Sequence, residues 1–414
     1  MLSAYFDPHG RRIRVLREGP SGPLCEAFAR ALLQAGYPAG TARQHIGAAE
    51  HLLHWSAQRH RPVGELNEQS LRRVEWHLRR CRCRYRHADR THVLYGARLF
   101  VRALREVGTI TTPMLKEAAP DPALLSAFGQ WMHEQRGTCE ATVANYARPI
   151  RALLARLGDN PRECDAHRLR GFVLERSGAS GWAAAKTCTT ALRAFLRFLI
   201  ARGHCAVGLD AAIPTLAHWR LAALPRYLHP DEVERVIDSC DRTSPVGQRN
   251  RAMLLLLARL GLRADDIRQL RLRDIDWHGA GILVSGKSRR LTRLPLSQEV
   301  GDALVSYLRE GRPSAHTDRV FVGCRAPFQA LARGVVPLIV GRALDRAGVV
   351  RPTRGAAHLL RHSVATSMLR HGASLQDIAT LLRHQSIETT HIYAKVDVLA
   401  LRQIAQPWPE VSPC

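Results

Sequence analysis

Apolar residues recur every three or four positions through most of the first two hundred residues, the spacing of one face of a helix. Two stretches look like copies of one helical unit. The first holds TARQHIGAAEHLLHW (Thr41 to Trp55) and HVLYGARLFVRALREVG (His92 to Gly108). The second holds TVANYARPIRALLARL (Thr142 to Leu157) and TCTTALRAFLRFLIARG (Thr187 to Gly203). Thr41, Leu52 and Leu53 match Thr142, Leu153 and Leu154 at one offset. Arg98, Phe100, Leu104 and Gly108 match Arg193, Phe195, Leu199 and Gly203 at a slightly shorter one. Both copies end in glycine, as helices commonly do. Duplication is one reading; amphipathic Ala/Leu/Arg helices also look alike without common origin.

The periodicity stops at AVGLDAAIPTLAHWRLAALPRYL (Ala206 to Leu228), which contains Pro214 and Pro225 and reads as a linker. A new helix starts at HPDEVERVID, where Pro230 suits the first helical position and Asp231 and Glu232 suit the positive end of the dipole. Helices are predicted over 231–240, 248–260 and 264–271. A β-hairpin is predicted in GILVSGKSRRLTRLPLS, with a Gly-Lys-Ser-Arg-Arg turn between two short apolar strands. Further helices are expected near 298–310, 335–347, 358–371 and 374–383, and a last one around Tyr393. The fold class is therefore mainly α with a small β-hairpin or sheet in the C-terminal half (α+β). The domain reading is 1–112 helical and basic, 118–206 helical, 207–224 linker, 225–406 a mixed domain, and 407–414 a tail.

Charge sharpens the picture. The 414 residues carry a formal charge of +25 and a pI near 10.8, which favours a polyanionic partner. Only Lys116, Lys186, Lys287 and Lys395 among the 61 basic residues are lysine, a bias that a GC-rich genome would also produce. The ten cysteines are scattered, and Cys81 and Cys83 form the one close pair. That spacing is poor for a zinc ribbon or a disulfide framework, so free thiols in a reducing cytosol are expected. The N-terminus MLSAYFDPHGRRIRV lacks the apolar core of a signal peptide. The longest apolar run, Ala252 to Ala258, is far short of the roughly 20 residues of a membrane helix. A soluble, cytoplasmic protein is expected, associated with the nucleoid when bound to DNA and with no membrane partner.

Three islands carry candidate chemistry. ARLGLRADDIRQLRLRDID holds Arg263 after Gly261 at a helix junction, with Asp266 one turn on. The hairpin turn holds Lys287, notable where lysine is so rare. HLLRHSVATSMLRHGASLQDIATLLRHQSIETTHIYAKV holds His358, Arg361, His384 and Tyr393. Taken singly, each has a bland reading as a surface or packing residue; the order Arg, Lys, His-x-x-Arg, His, Tyr is what singles them out.

The third island closely resembles the C-terminal signature of tyrosine recombinases of the phage-integrase type. In that family an HxLRHxxAT segment precedes an LLGH-like turn, with a tyrosine nine residues after the turn's histidine. Here the segment is HLLRHSVAT, the turn is LLRHQS, and Tyr393 lies nine after His384. The first island is similar to the family's GLR-x-x-E segment and the second to its hairpin lysine. The resemblance covers roughly 225–406, and 118–206 looks like the family's core-binding domain. Asp266 stands where glutamate is usual, and Arg383 where glycine precedes the histidine. The first hundred residues fall outside the usual architecture.

The resemblance implies an enzyme that cleaves and rejoins DNA through a 3′-phosphotyrosine on Tyr393, without metal, cofactor or ATP. Such chemistry needs a nucleophile, cations on the phosphate oxygens and an acid for the leaving oxygen. Arg263 and Arg361 have the forked donors to clamp two non-bridging oxygens. His358, three residues before Arg361 on the same helical face, can donate to phosphate or accept the tyrosine's proton. His384 can donate to a non-bridging oxygen, and Lys287 suits the general acid. Asp266 is expected to hold Arg263. Arg289, Arg290 and Arg293 are candidate phosphate contacts. His358 and His362, four apart, suggest a zinc pair, but no HExxH glutamate or third ligand is evident, so no metal is expected. The implied partners are double-stranded DNA and a homotetramer or related recombinases, with VDVLALRQIA a candidate docking helix. The extra N-terminal unit favours integration or transposition of a mobile element. Competing readings are a type IB topoisomerase and a catalytically inactive DNA-binding accessory protein.

Overall fold

Apolar residues three or four positions apart turn the N-terminal residues into five α-helices: α1 (Arg11–Glu18), α2 (Gly22–Gln34), α3 (Ala39–Ala57), α4 (Glu68–Arg79) and α5 (Arg90–Glu106). The computed structural model describes residues 1–83, 89–110, 122–157, 164–179, 181–216, 224–285, 291–352, 355–396 and 401–402. The chain forms two units, Met1–Thr112 with Leu221–Cys414, and Pro113–Arg220. The helix starts follow local chemistry. Asn67 accepts from the Ser70 N–H ahead of α4, and Asp89 accepts from the Thr91 N–H ahead of α5. The buried faces share one core, in which Phe28 meets Phe100 edge-on at 5.2 Å. Gly96 lets α5 approach α3: a Cβ there would lie 2.8 Å from the Ala48 methyl.

The second unit contains α6 (Ala123–Arg136), α7 (Glu140–Leu157), α8 (Ala166–Ala179) and α9 (Trp182–Ala201). Its core is aromatic, with Phe128 perpendicular to Phe195 at 5.5 Å. The packing order repeats that of α2 to α5. In one set α2 and α4 flank the α3–α5 pair, and in the other α6 and α8 flank α7–α9. Leu52, Leu53, Phe100 and Leu104 are buried, and so are Leu153, Leu154, Phe195 and Leu199. Gly108 and Gly203, which follow α5 and α9, both adopt left-handed backbone. The stretch after α9 is more ordered than a linker reading implies: Leu209–Ala212 form a 3₁₀ turn and Ile213 is buried in this unit's core.

The C-terminal half of the chain is built around one helix. It contains α10 (Pro230–Asp238), α11 (Pro245–Leu260), α12 (Ala264–Gln269), α13 (Gln298–Ser306), α14 (Val335–Arg346), α15 (Ala356–Arg370) and α16 (Leu375–Leu382). The apolar run within α11 is long because neighbours surround it: Met253 to Leu257 are 0% exposed, with α10, α13 and α15 packed about them. Strands β1 (Ile275–Asp276), β2 (Gly281–Ser285) and β3 (Leu291–Pro295) form an antiparallel sheet in the order β1-β2-β3. Ile282 faces Leu294, and both turn into the core. The two-residue β1 is too short to show a period, and the sequence reading missed it. The expected last helix around Tyr393 is instead a 3₁₀ segment, His391–Val396. The candidate docking helix VDVLALRQIA lies outside the described residues apart from Val396, Leu401 and Arg402. Among the described residues, no helix is long and apolar enough to cross a membrane.

Candidate active site

Two chain turns converge on one buried guanidinium, that of Arg361. Helix α11 ends at Gly261, whose φ of +58° is left-handed and where a Cβ would come within 2.7 Å of the Leu382 side chain. The chain leaving it places Arg263 at the head of α12, with its N–H donating to Asp266 Oδ2 at 2.9 Å. Helix α15 supplies His358, Arg361 and His362. Helix α16 ends at Arg383, also left-handed with φ +53°. Arg361 donates to the carbonyls of Gly261 and Leu382. Arg263 donates to the carbonyls of Leu382 and Arg383 at 3.4 and 3.1 Å. Carbonyls at the end of a helix lack intrahelical partners and carry the negative end of its dipole, so they draw cations. The two expected arginines therefore meet at the end of α16.

The electrostatics of this cluster are those of an anion site. Burial, then the positive charges of Arg263 and Arg383, bring Arg361 down to about 9, against the opposing pull of Tyr393 and Asp266. Burial also lowers Arg263. His384 is held down at about 4 by burial and then by Arg361 and Arg263, so it is neutral near pH 7. Its Nδ1 lies 2.8 Å from the hydroxyl of buried Thr390.

Tyr393 is 1% exposed. Burial pushes its phenol up to about 12, with the charge of Arg361 acting the other way. Its hydroxyl lies 2.7 Å from Nδ1 of His362, and the two rings are 5.6 Å apart. His362 is lowered to about 4 by burial, His358 and Arg361, so a neutral imidazole faces the phenol. His358, one turn earlier and exposed, has its ring 6.5 Å from that of His362.

The structure thus gathers Arg263, Arg361, His384 and Tyr393, with His358 at the margin. Lys287, Arg289 and Arg290 lie outside the described residues. Arg293 is on β3, paired to Asp276 at 2.7 Å and donating to the Gly279 carbonyl. Asp266 differs from expectation in how it acts. It reaches Arg263 through the backbone N–H, while its ion pair is with Arg383 at 2.5 Å. Arg263 cannot supply that pair because its guanidinium is turned to the end of α16. Two residues of the cluster escaped the sequence reading. His362 was weighed only as a metal partner of His358, although its position beside Arg361 was the available signal. Arg383 was noted only as a departure from glycine.

Residues 226–399 match the phage integrase family, and residues 125–203 match the N-terminal SAM-like domain of phage integrases. A putative integrase/recombinase of Sinorhizobium fredii, y4rA, is 40% identical over 292 residues, spanning 69% of this chain and 70% of its own. Tyrosine recombinase XerD of Listeria monocytogenes is 29% identical over 68% of this chain and 96% of its own. Among solved structures, the XerH site-specific recombinase bound to palindromic difH substrate shares the fold, with a TM-score of 0.55 and 19% identity over 82% of this chain and 95% of that one. The chain belongs to the phage integrase family of tyrosine recombinases, enzymes that transfer DNA strands.

Proposed function

We propose that this recombinase binds double-stranded DNA and cuts it by attack of Tyr393 on a backbone phosphate, serving the integration or transposition of a mobile element. One observation carries the reading: the guanidiniums of Arg263 and Arg361 converge on the Leu382 carbonyl, in the cluster that holds the Tyr393 phenol. A phosphate has the negative oxygens such a pair is built to clamp. In the cleavage step the Tyr393 oxygen forms a bond to phosphorus and the bond to the 5′-oxygen breaks. The phenol's proton passes to His362 or His358, and Lys287 protonates the departing 5′-oxygen. His384 donates to a non-bridging oxygen. The ester energy is kept in the phosphotyrosine, so the reverse attack by a 5′-hydroxyl rejoins the strands.

Arg383 adds to this set, because its Nε and Nη1 are buried donors with no hydrogen-bond partner among the described residues. Because the phenol is buried, the 391–396 segment must shift before it reaches a phosphate. Arg289, Arg290 and Arg293 are proposed to track the flanking backbone. Assembly on DNA as a tetramer, alone or with related recombinases, is part of the proposal.

The test is a nicked suicide duplex that carries the recombination site. Wild-type protein is expected to form a covalent complex stable to denaturing gels, and Tyr393→Phe none, while retaining duplex binding. Equal behaviour of the two proteins would overturn the reading. Supercoil relaxation without strand exchange between two sites would instead indicate a topoisomerase.

A further inference from the structure

The N-terminal helices hold a second cluster of functional side chains, outside the residues matched to the family. His51 on α3, His77 in the last turn of α4, and Cys81 and Cys83 just beyond it bring one ligating atom each within 4.8 Å of all the others. The His51 and His77 Nε2 atoms are 3.2 Å apart. Cys81 Sγ lies 3.3 Å from the first, and Cys83 Sγ 3.5 Å from the second. The imidazole rings stand at 74° with centroids 5.3 Å apart, so both aim at a common point without stacking.

We propose that these four residues bind one zinc ion as a closed structural site. In a tetrahedron with metal–nitrogen bonds of about 2.0–2.1 Å and metal–sulfur bonds of about 2.3 Å, nitrogen–nitrogen edges are about 3.3–3.4 Å and nitrogen–sulfur edges about 3.6 Å. The three separations follow those edges to within a few tenths of an ångström. Imidazole with thiolate is the donor set that selects zinc among common divalent ions, and four protein ligands leave no place for a substrate. The Cys83 N–H donates to Cys81 Sγ at 3.3 Å, the kind of outer contact that steadies a thiolate ligand. Binding releases both thiol protons, so two thiolates cancel the charge of the ion. That neutrality suits a helical unit already crowded with arginine, Arg80 and Arg82 among them. His51 is 2% exposed at the edge of the apolar core, so the ion would tie the end of α4 and the chain after it to α3.

The test uses the full-length protein, expressed with added zinc and purified without an immobilised-metal step. Elemental analysis is expected to find about one zinc per chain in wild type and under about a tenth of that in Cys81→Ser/Cys83→Ser, with Cys324→Ser unchanged. Cobalt added to chelated wild type should give the intense visible bands of a tetrahedral thiolate site, saturating near one equivalent. These bands are read on unaltered protein and hold even if the double variant folds poorly. Chelation should lower the melting temperature of wild type and leave that of a folded double variant in place. A wild type with neither zinc nor cobalt bands, or a double variant as zinc-rich as wild type, overturns the proposal.

Discussion

The carboxylate of Asp266 lies 2.5 Å from Nη2 of Arg383, and both side chains are 6% exposed. This ion pair joins the start of α12 to the end of α16, the two turns that present Arg263 and the carbonyls it grips. Removing one member of a buried pair strands the other charge and costs about 3–5 kcal/mol. Arg383 also sits at positive φ, which costs a non-glycine residue on the order of 1 kcal/mol. Arg383→Gly is therefore expected to lower stability by about 2–4 kcal/mol in urea unfolding. The double variant Asp266→Asn/Arg383→Gly should regain at least half of that loss. A glycine variant as stable as wild type would show that the pair holds nothing together.

The hydroxyl of Tyr393, the proposed nucleophile, makes its shortest polar contact among the described residues with the imidazole of His362. A neutral imidazole can receive the phenol's proton, a contribution on the order of 10²-fold in rate. His362→Ala should slow covalent-complex formation by about that factor with duplex affinity little changed. Unchanged single-turnover kinetics would leave proton acceptance to His358.

Arg361 grips two carbonyls from different turns, which a forked guanidinium can do and a single ammonium cannot. Arg361→Lys should keep the positive charge but lose on the order of 10²–10³ in cleavage rate, the usual cost of one preorganised donor. Cleavage within tenfold of wild type would remove Arg361 from transition-state stabilisation.

Acid should loosen the cluster. His362 and His384 are held near pKa 4 in the folded protein against an ordinary 6.5, so between these values the unfolded chain binds more protons. Stability then falls as pH drops from about 6.5 towards 4 and is flat from these groups above that window. His45, likewise lowered to about 4 by burial and His92, adds to the same slope. His362→Gln should melt with a shallower dependence on pH over this range. Identical slopes for variant and wild type would show that His362 is not charged on unfolding.

Much of this molecule is written locally. Helical period, prolines at helix starts and glycines at helix ends depend on neighbours a turn away, and they place α10, α11, α14 and α15 to within a few residues. The order of Arg263, His358, Arg361, His384 and Tyr393 is likewise a property of the chain, and the family match follows from it. Tertiary structure decided the rest, because partners many helical turns apart in the sequence, from about thirty residues to more than a hundred, leave no periodic trace. Only packing shows that Asp266 takes Arg383 as its ion partner and that His362 faces the phenol. Only packing brings His51 to a pair of cysteines that, read along the sequence, looked too sparse to hold an ion. Where contact depends on how helices cross rather than on how they form, spacing alone carries no signal.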